Sequence, residues 1–553
     1  MDSVTINDDS LSADENTTEI EEKARHGKNQ LRITIITVSA FLLLAIIIFV
    51  SATTISRYNT NKEPGQYSSI YAPSNASTIK AVCATTRYPD SCYHSISAAS
   101  SPNFSLDNPE KVFMLSLLVA RAAVSNATFM SEFLAAATAD PAAKAALQDC
   151  KELFSSAGDH LNDTLALLPA DISLASSSQI IEMRTLLSAA VADQATCAEG
   201  VAATHLKARM QAATVNSTEY TSNSLAIATH FAGYFDMLPF LFHRKLLDAP
   251  GGDDAYYNGK FTVNVTVAKE GTGDLESIGD AIAKAPERSL TPFVIYVKEG
   301  VYKEYVVVGE SKWNVVVLGD GMHRTLVVGN RSRADGSTAY KSATFTVEGR
   351  GFKAIDMGFL NTAAAEKQQA VALLCKADRA VFYRCSFRAF YNTLYTHSLR
   401  QLYHDCEVVG ATDFIFGDAA VVFQNCTIRP RQTASVATIA AQSRSDPNEN
   451  TGVVIQGCKI APFDDGLLLA YLGRPWGEHS RMVVMKTEME KVVAPEGWLT
   501  LSPGTVPPNT TFVGEYRNRG LGSNLERRVR WPGYHAVLSD AEAQGFSAKF
   551  FLQ

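Results

Sequence analysis

The sequence has no dominant block of basic residues, and its formal net charge at pH 7 is only −7. Nothing in it offers the positive stripe that a phosphate backbone requires, so nucleic acid is excluded as a partner. It also lacks Cys and His clustered at short spacing, the pattern a structural zinc site needs. Charged residues make up 19% and hydrophobic residues 46% of the chain, the balance of folded globular material. At 553 residues the chain exceeds one ordinary domain, so at least two are expected, with appendages.

One segment lacks charge altogether. Ile33 to Ala52, "ITIITVSAFLLLAIIIFVSA", is long enough to cross a bilayer. Lys23, Arg25, Lys28 and Arg32 stand just before it, and positive charge stays on the cytoplasmic side. Residues 1–32, polar and rich in Asp, Glu, Asn and Ser, therefore read as a disordered cytosolic tail. Residues 33–52 read as a single transmembrane signal anchor of type II, which places the remainder in the secretory pathway; a cleaved signal peptide is the competing reading. Nine Asn-x-Ser/Thr sequons follow the run, from Asn75 to Asn509, in keeping with export. One of them, Asn425, reads as part of a packed strand. Residues 53–75, with Pro64, Gly65 and Pro73, read as a linker.

From 76 to 240 alanine is abundant and apolar residues fall at helical spacing: Phe113, Leu117, Ala120 and Val124, then Leu147, Cys150, Phe154 and Leu161, then Ile180, Met183, Leu187 and Cys197. Asn108-Pro109 and Asp140-Pro141 mark helix starts or turns. The expectation is an all-α bundle of antiparallel helices. Cys83, Cys92, Cys150 and Cys197 fall in this part. Pairing near with near and far with far would staple its start and cross-link two helices, but spacing leaves the other connectivities open. Residues 241–260 break the pattern with Pro250, Gly251 and Gly252, and read as an exposed linker. Its dibasic Arg244-Lys245, followed by Leu246-Leu247, suits a processing protease.

From 261 to 553 the texture is β: short runs such as "FVIYV" and "TLVVGN" alternate with Gly and Asn turns. A repeat then appears. "AVFYRCSF" (380–387), "QLYHDCEV" (401–408), "VVFQNCTI" (421–428) and "VVIQGCKI" (453–460) align column by column, the first three at steps of 21 and 20 residues. That period, with like residues in like columns, predicts a solenoid, here an all-β right-handed parallel β-helix. The column Cys385, Cys406, Cys426 and Cys458 reads as a core ladder.

The same register brings chemistry together. Asn392 follows Cys385 by seven residues and Asp413 follows Cys406 by seven, so they share a column on coils about 4.8 Å apart. Two carboxylates so placed would split into an ionised nucleophile and a protonated acid; here one is an amide, which also leaves Asp413 the more readily ionised. Gln369, about one coil earlier, offers an amide donor for an oxyanion. In "LGRPWG" (472–477), Arg474 can orient a carboxylate and Trp476 can stack on a sugar.

These stretches, with "GTGDLESIGDAIAKAP", "GFLNTA", "QAVAL", "YRCSF" and "GATDFIFG", make residues 262–550 resemble the plant pectin methylesterases. "LQDCKELFSSAGDHLNDT" and "LLSAAVADQATC" make the helical part resemble the pectin methylesterase inhibitor domain, a four-helix bundle. "RKLL" (244–247) is similar to the processing motif between the two. The resemblance implies a cell-wall esterase acting on methyl-esterified homogalacturonan without metal or organic cofactor. The helical part would be an autoinhibitory pro-region, with separate inhibitor proteins as further partners. It implies Asp413 as nucleophile, Gln369 as an oxyanion donor, Arg474 as the brace of the nucleophile and Trp476 as a sugar contact. The chain departs from the family's "GYQDTLY" at Tyr391, where a second oxyanion Gln is expected, and at Asn392, where the acid/base Asp is expected. Ala339 and Gln368 are lesser departures. An amide neither gives nor takes the proton, so a second reading stands beside the esterase: an impaired pseudoenzyme that binds pectin or regulates other esterases. Asp405, Glu407 and Asp418 are the nearby acids, in other columns.

Overall fold

The computed structural model describes residues 75–100, 106, 108–169, 176–202, 204–236, 261–432, 436–466, 469–502 and 504–552. The tail and anchor expected at 1–52, the linker after it and the motif at 244–247 lie outside the described residues.

Two short helices, α1 (Asn75–Cys83) and α2 (Pro89–Ala99), precede four long ones: α3 (Pro109–Ala137), α4 (Pro141–Leu167), α5 (Ser177–Val201) and α6 (Lys207–Asp236). The two expected start signals open α3 and α4, and an unanticipated cap opens α5. Asn108 accepts from the Lys111 N–H with Pro109 in the first turn, and Asp140 accepts from the Ala142 N–H ahead of Pro141. Ser176 and Gln179 form a capping box. Helix α3 is long and apolar enough to cross a membrane, yet its Phe113, Leu117, Ala120 and Val124 are buried in the bundle core. Cys83 is bonded to Cys92, and Cys150 to Cys197. The second bridge ties α4 to α5, closing a loop of the length that stabilises by ~3–4 kcal/mol in chain-entropy terms.

The remainder is a parallel β-helix with three sheets among the described residues. Registers follow the repeat: Val381, Leu402, Val422 and Val454 pair in succession. Phe382, Tyr403 and Phe423 stack with ring centroids 4.7 and 4.8 Å apart. The Cys column is a ladder of buried free thiols, each backbone N–H reaching the next sulfur at 3.3–3.4 Å. One expectation is corrected: Asn425 is not packed in a strand. It is an exposed corner residue with φ 55°, between Ala420–Gln424 and Thr427–Pro430. Asn tolerates that left-handed turn, which lets the chain change sheets.

Strand alternation explains how the two parts meet. Leu373, Leu394 and Ile415 point into the coil core, whereas the intervening Leu374 and Tyr395 join the core of the helical bundle, with Phe416 packed against it. Polar groups are sealed in the same interface. The Asp193 carboxylate on α5 is fully buried, and neither oxygen has a hydrogen bond. It lies 3.5 Å from His160 and 3.9 Å from His397, in the field of Lys376, Glu310 and Glu348. Burial pushes Asp193 up to about 8, and pushes His160 down to about 4 and His397 to about 3.

These shifts have opposite signs in stability. Below 6.5 the unfolded chain holds a proton on each histidine that the folded chain refuses, so stability rises with pH. Between 3.8 and about 8 the folded chain holds a proton on Asp193 that the unfolded chain has released, so stability falls with pH. Asp149, pushed up to about 6, and Asp418, pushed up to about 7, act in the same direction as Asp193, so above pH 6.5 only raised carboxyls count and each lowers stability as pH rises. The thermal midpoint of the full chain is expected to decline from pH 6.5 toward pH 8, with Asp193→Asn making that decline shallower. A midpoint that climbs through that range contradicts this account.

Candidate active site

The site lies where chain segments enter the sheet that faces the helices. Leu373, Leu394, Ile415 and Ala440 pair in register. Two residues upstream on successive coils stand Asn392, Asp413 and Thr438, side by side. Asn392 and Asp413 both have left-handed backbones, φ 57° and 46°, which Asn and Asp accept more readily than other side-chain-bearing residues. Gly417 closes the Asp413 frame at φ 127°, where a Cβ would sit 2.1 Å from the Thr396 carbonyl oxygen; only glycine fits.

Asp413 is 7% exposed and its carboxylate is fully engaged. Arg474 Nε donates to Oδ1 at 2.9 Å and to Oδ2 at 3.2 Å, and Arg474 Nη2 donates to Oδ2. Thr438 Oγ1 donates to Oδ1 at 2.7 Å, while accepting from the Asp413 N–H at 2.9 Å. This two-pronged clamp fixes the position and orientation of the carboxylate. The Arg474 guanidinium also sits 5.6 Å from the Trp476 ring centre, a cation–π contact.

Asn392 offers no comparable chemistry. Its Nδ2 reaches only the Asp413 backbone oxygen, at 3.5 Å, too long for a strong bond. Gln369 is bridged to Tyr391 on the next coil, and its Oε1 accepts from Arg333 at 3.3 Å; its amide nitrogen is the end left for a ligand oxygen. Gln369, Tyr391, Asn392, Asp413, Arg474 and Trp476 all line one cavity of about 830 Å³. The structure thus brings every candidate site residue of the β-helix together. The nearby acids stand elsewhere. Glu407 pairs with Arg388 and Arg429. Asp405 sits beside His404. Asp418, pushed up to about 7 by burial, accepts from Gln442 and Thr451.

Three participants are not evident from the sequence. Thr438 is the next member of the Asn392–Asp413 column, hidden because a longer loop interrupts the 20-residue step; aligning "ATIAAQ" as a further coil would have found it. Glu199 comes from α5. Its Oε1 accepts from Trp476 Nε1 at 2.9 Å, and burial raises its carboxyl above the usual range despite that bond. Asp149 of α4 also lines the cavity, pushed up to about 6 by burial. The helical part therefore roofs the groove with carboxyl groups.

Residues 264–553 match the Pectinesterase family, and residues 77–227 the Plant invertase/pectin methylesterase inhibitor family. The chain is 42% identical over 498 residues to pectinesterase 3 of Phaseolus vulgaris, across 87% of this chain and 85% of that protein. It is 38% identical over 553 residues to probable pectinesterase/pectinesterase inhibitor 46 of Arabidopsis thaliana, across 95% and 94%. Among solved structures, pectin methylesterase from carrot aligns with a TM-score of 0.52 at 43% identity, over 53% of this chain and 94% of that one.

Removing Arg474 would strand a buried carboxylate. Arg474→Ala is expected to lower unfolding free energy by ~3 kcal/mol, and Thr438→Val by ~1 kcal/mol, in urea titrations of the full chain. Equal, negligible losses would show that the clamp does not hold Asp413.

Proposed function

The chain belongs to the pectinesterase family, and we propose that its β-helix hydrolyses methyl esters of homogalacturonan with Asp413 as nucleophile. The observation that carries this reading is the Arg474–Thr438 clamp on a single carboxylate at the floor of a groove that also presents Trp476. In this reading an Asp413 oxygen attacks the ester carbonyl carbon, and the developing oxyanion takes hydrogen bonds from Gln369 Nε2 and the Tyr391 hydroxyl. Methanol leaves, and water then cleaves the acyl-enzyme. Arg474 holds the carboxylate against rotation, and Trp476 carries the sugar chain.

The two proton transfers, to methanol and from water, have no carboxyl at Asn392 to mediate them. They fall to solvent, so the enzyme runs slowly rather than by another route. The helical part acts as the pro-region: Glu199 occupies the Trp476 indole N–H that a sugar oxygen would use. Cleavage at Arg244-Lys245-Leu246-Leu247 by a secretory protease would free the groove in the cell wall, after delivery on the 33–52 anchor. Separate inhibitor proteins would then take the place of the helical part.

Methanol release from highly methylated pectin by residues 248–553 tests this. Turnover is expected to be low, to rise by ~10²–10⁴ in Asn392→Asp, and to vanish in Asp413→Ala. The left-handed corner that seats Asn392 accepts Asp equally, so the gain is not masked by misfolding. Full wild-type turnover matched by Asn392→Asp would show that the amide costs nothing. Silence in both would remove Asp413 from the nucleophile role.

A further inference from the structure

The Glu182 carboxylate of α5 leaves the bundle and is gripped by three arginines of the β-helix. Its Oε1 accepts from Arg350 Nη2 at 2.9 Å; its Oε2 accepts from Arg379 Nη2 at 2.9 Å and from Arg400 Nη2 at 2.8 Å. The site is built independently of its occupant. Arg400 has a side chain 4% exposed and is locked by Asp378, with Nε donating at 2.8 Å and Nη2 at 2.6 Å. Arg350 and Arg379 are about half exposed even with the helices in place. Without Glu182 the cluster keeps three positive charges against the one of Asp378. The neighbouring Glu310 and Glu348 are paired to Lys376 at 3.3 and 3.6 Å, and do not quench it.

The cluster is not part of the groove. Arg350, Arg379 and Arg400 follow the C-terminal ends of strands Phe345–Val347, Leu373–Cys375 and Leu394–Thr396, whereas Gln369, Tyr391 and Asn392 precede the N-terminal ends of the latter two. They come from successive coils, so their spacing follows the ~4.8 Å strand repeat. A second acid of the helical part faces this ladder: Asp163 lies in the field of Arg350.

We propose that Arg350, Arg379 and Arg400 form a carboxylate-binding site on the β-helix, filled by Glu182 while the helices are docked and by uronate carboxylates of de-esterified pectin once they are gone. The inference rests on the proposed esterase activity, whose product is a chain of such carboxylates released beside the enzyme. Forked guanidinium groups match a planar carboxylate better than any neutral ester, so the site selects product over substrate. A protein that grips what it has de-esterified stays on the chain it is working on.

Residues 248–553 suit the test, because their main core is built from β-helix residues alone and the carrot enzyme aligned over 94% of its length spans only 53% of this chain. The probe is fully de-esterified polygalacturonate cast in a native gel, beside a highly methylated pectin gel. Wild type is expected to be retarded in polygalacturonate and far less in methylated pectin. Arg350→Gln/Arg379→Gln is expected to lose about tenfold in apparent affinity, with methanol release from methylated pectin unchanged. Arg517→Gln/Arg519→Gln, an equal charge change at exposed residues of a distant coil, is expected to bind like wild type. Wild-type retention in the Arg350/Arg379 variant, or no retention of wild type, overturns the site. So does a variant that keeps polygalacturonate but no longer binds added residues 76–240; the arginines would then be a protein contact only. Methanol release without arginine-dependent retention sinks the site and spares the esterase. Arginine-dependent retention without methanol release does the reverse.

Discussion

Everything in the β-helix depends on coils pairing in register. Parallel pairing sets residue against residue on successive coils, 20 or 21 positions apart where the loops are short, so one choice of side chain becomes a column. Inward columns give the aromatic stack and the thiol ladder, and the outward column of Leu374, Tyr395 and Phe416 gives the helices a surface to cover. The site is a column too: Asn392, Asp413 and Thr438 meet only because Leu394, Ile415 and Ala440 do. A slip of one residue would exchange Asp413 for the buried Phe414 and send every neighbour to the other face. The core therefore enforces the chemistry, since no alternative register buries the same atoms.

Within that column backbone and side chain make separate demands. The corners at positions 392 and 413 need a left-handed residue, and Asn and Asp satisfy it alike. Proton transfer needs a group that titrates, and only Asp satisfies that. A change between the two is thus nearly silent for folding and loud for catalysis. Asp413 is subject to both demands at once, because Arg474 and Thr438 are aimed at its carboxylate.

This separation also explains what the sequence made legible. Period, column identity and the departures at Tyr391 and Asn392 are local or evenly spaced, so they can be read along the chain. The helix starts at Pro109 and Pro141 are local signals as well. Thr438 was missed because the loop before its strand breaks the spacing. Asn425 was misplaced because a period locates coils but not the corners within them. The short helix Ile278–Lys284 at the start of the β-helix carries too few turns to declare itself. Glu182, Asp193 and Glu199 could not be read at all. Each looks like an ordinary helical acid, and its meaning lies in a partner about 200 residues or more away.

The interface between the two parts combines a large apolar contact with polar groups that serve it poorly or conditionally. Val371, Leu374 and Tyr395 supply burial, which at ~25 cal/mol per Å² is indifferent to pH. Asp193 opposes it, because a fully buried carboxyl without a hydrogen bond must stay protonated or bear a desolvation cost. Glu199 and Glu182 are different again: each sits on a group of the β-helix that would otherwise meet a sugar or an anion. An interface built for permanence would replace all three with apolar residues, since buried ion pairs rarely outperform them. Retaining carboxylates at Trp476 and at the arginine ladder makes sense for a surface that must be vacated and reused. The helices hold the β-helix by imitating the acidic polymer proposed to replace them.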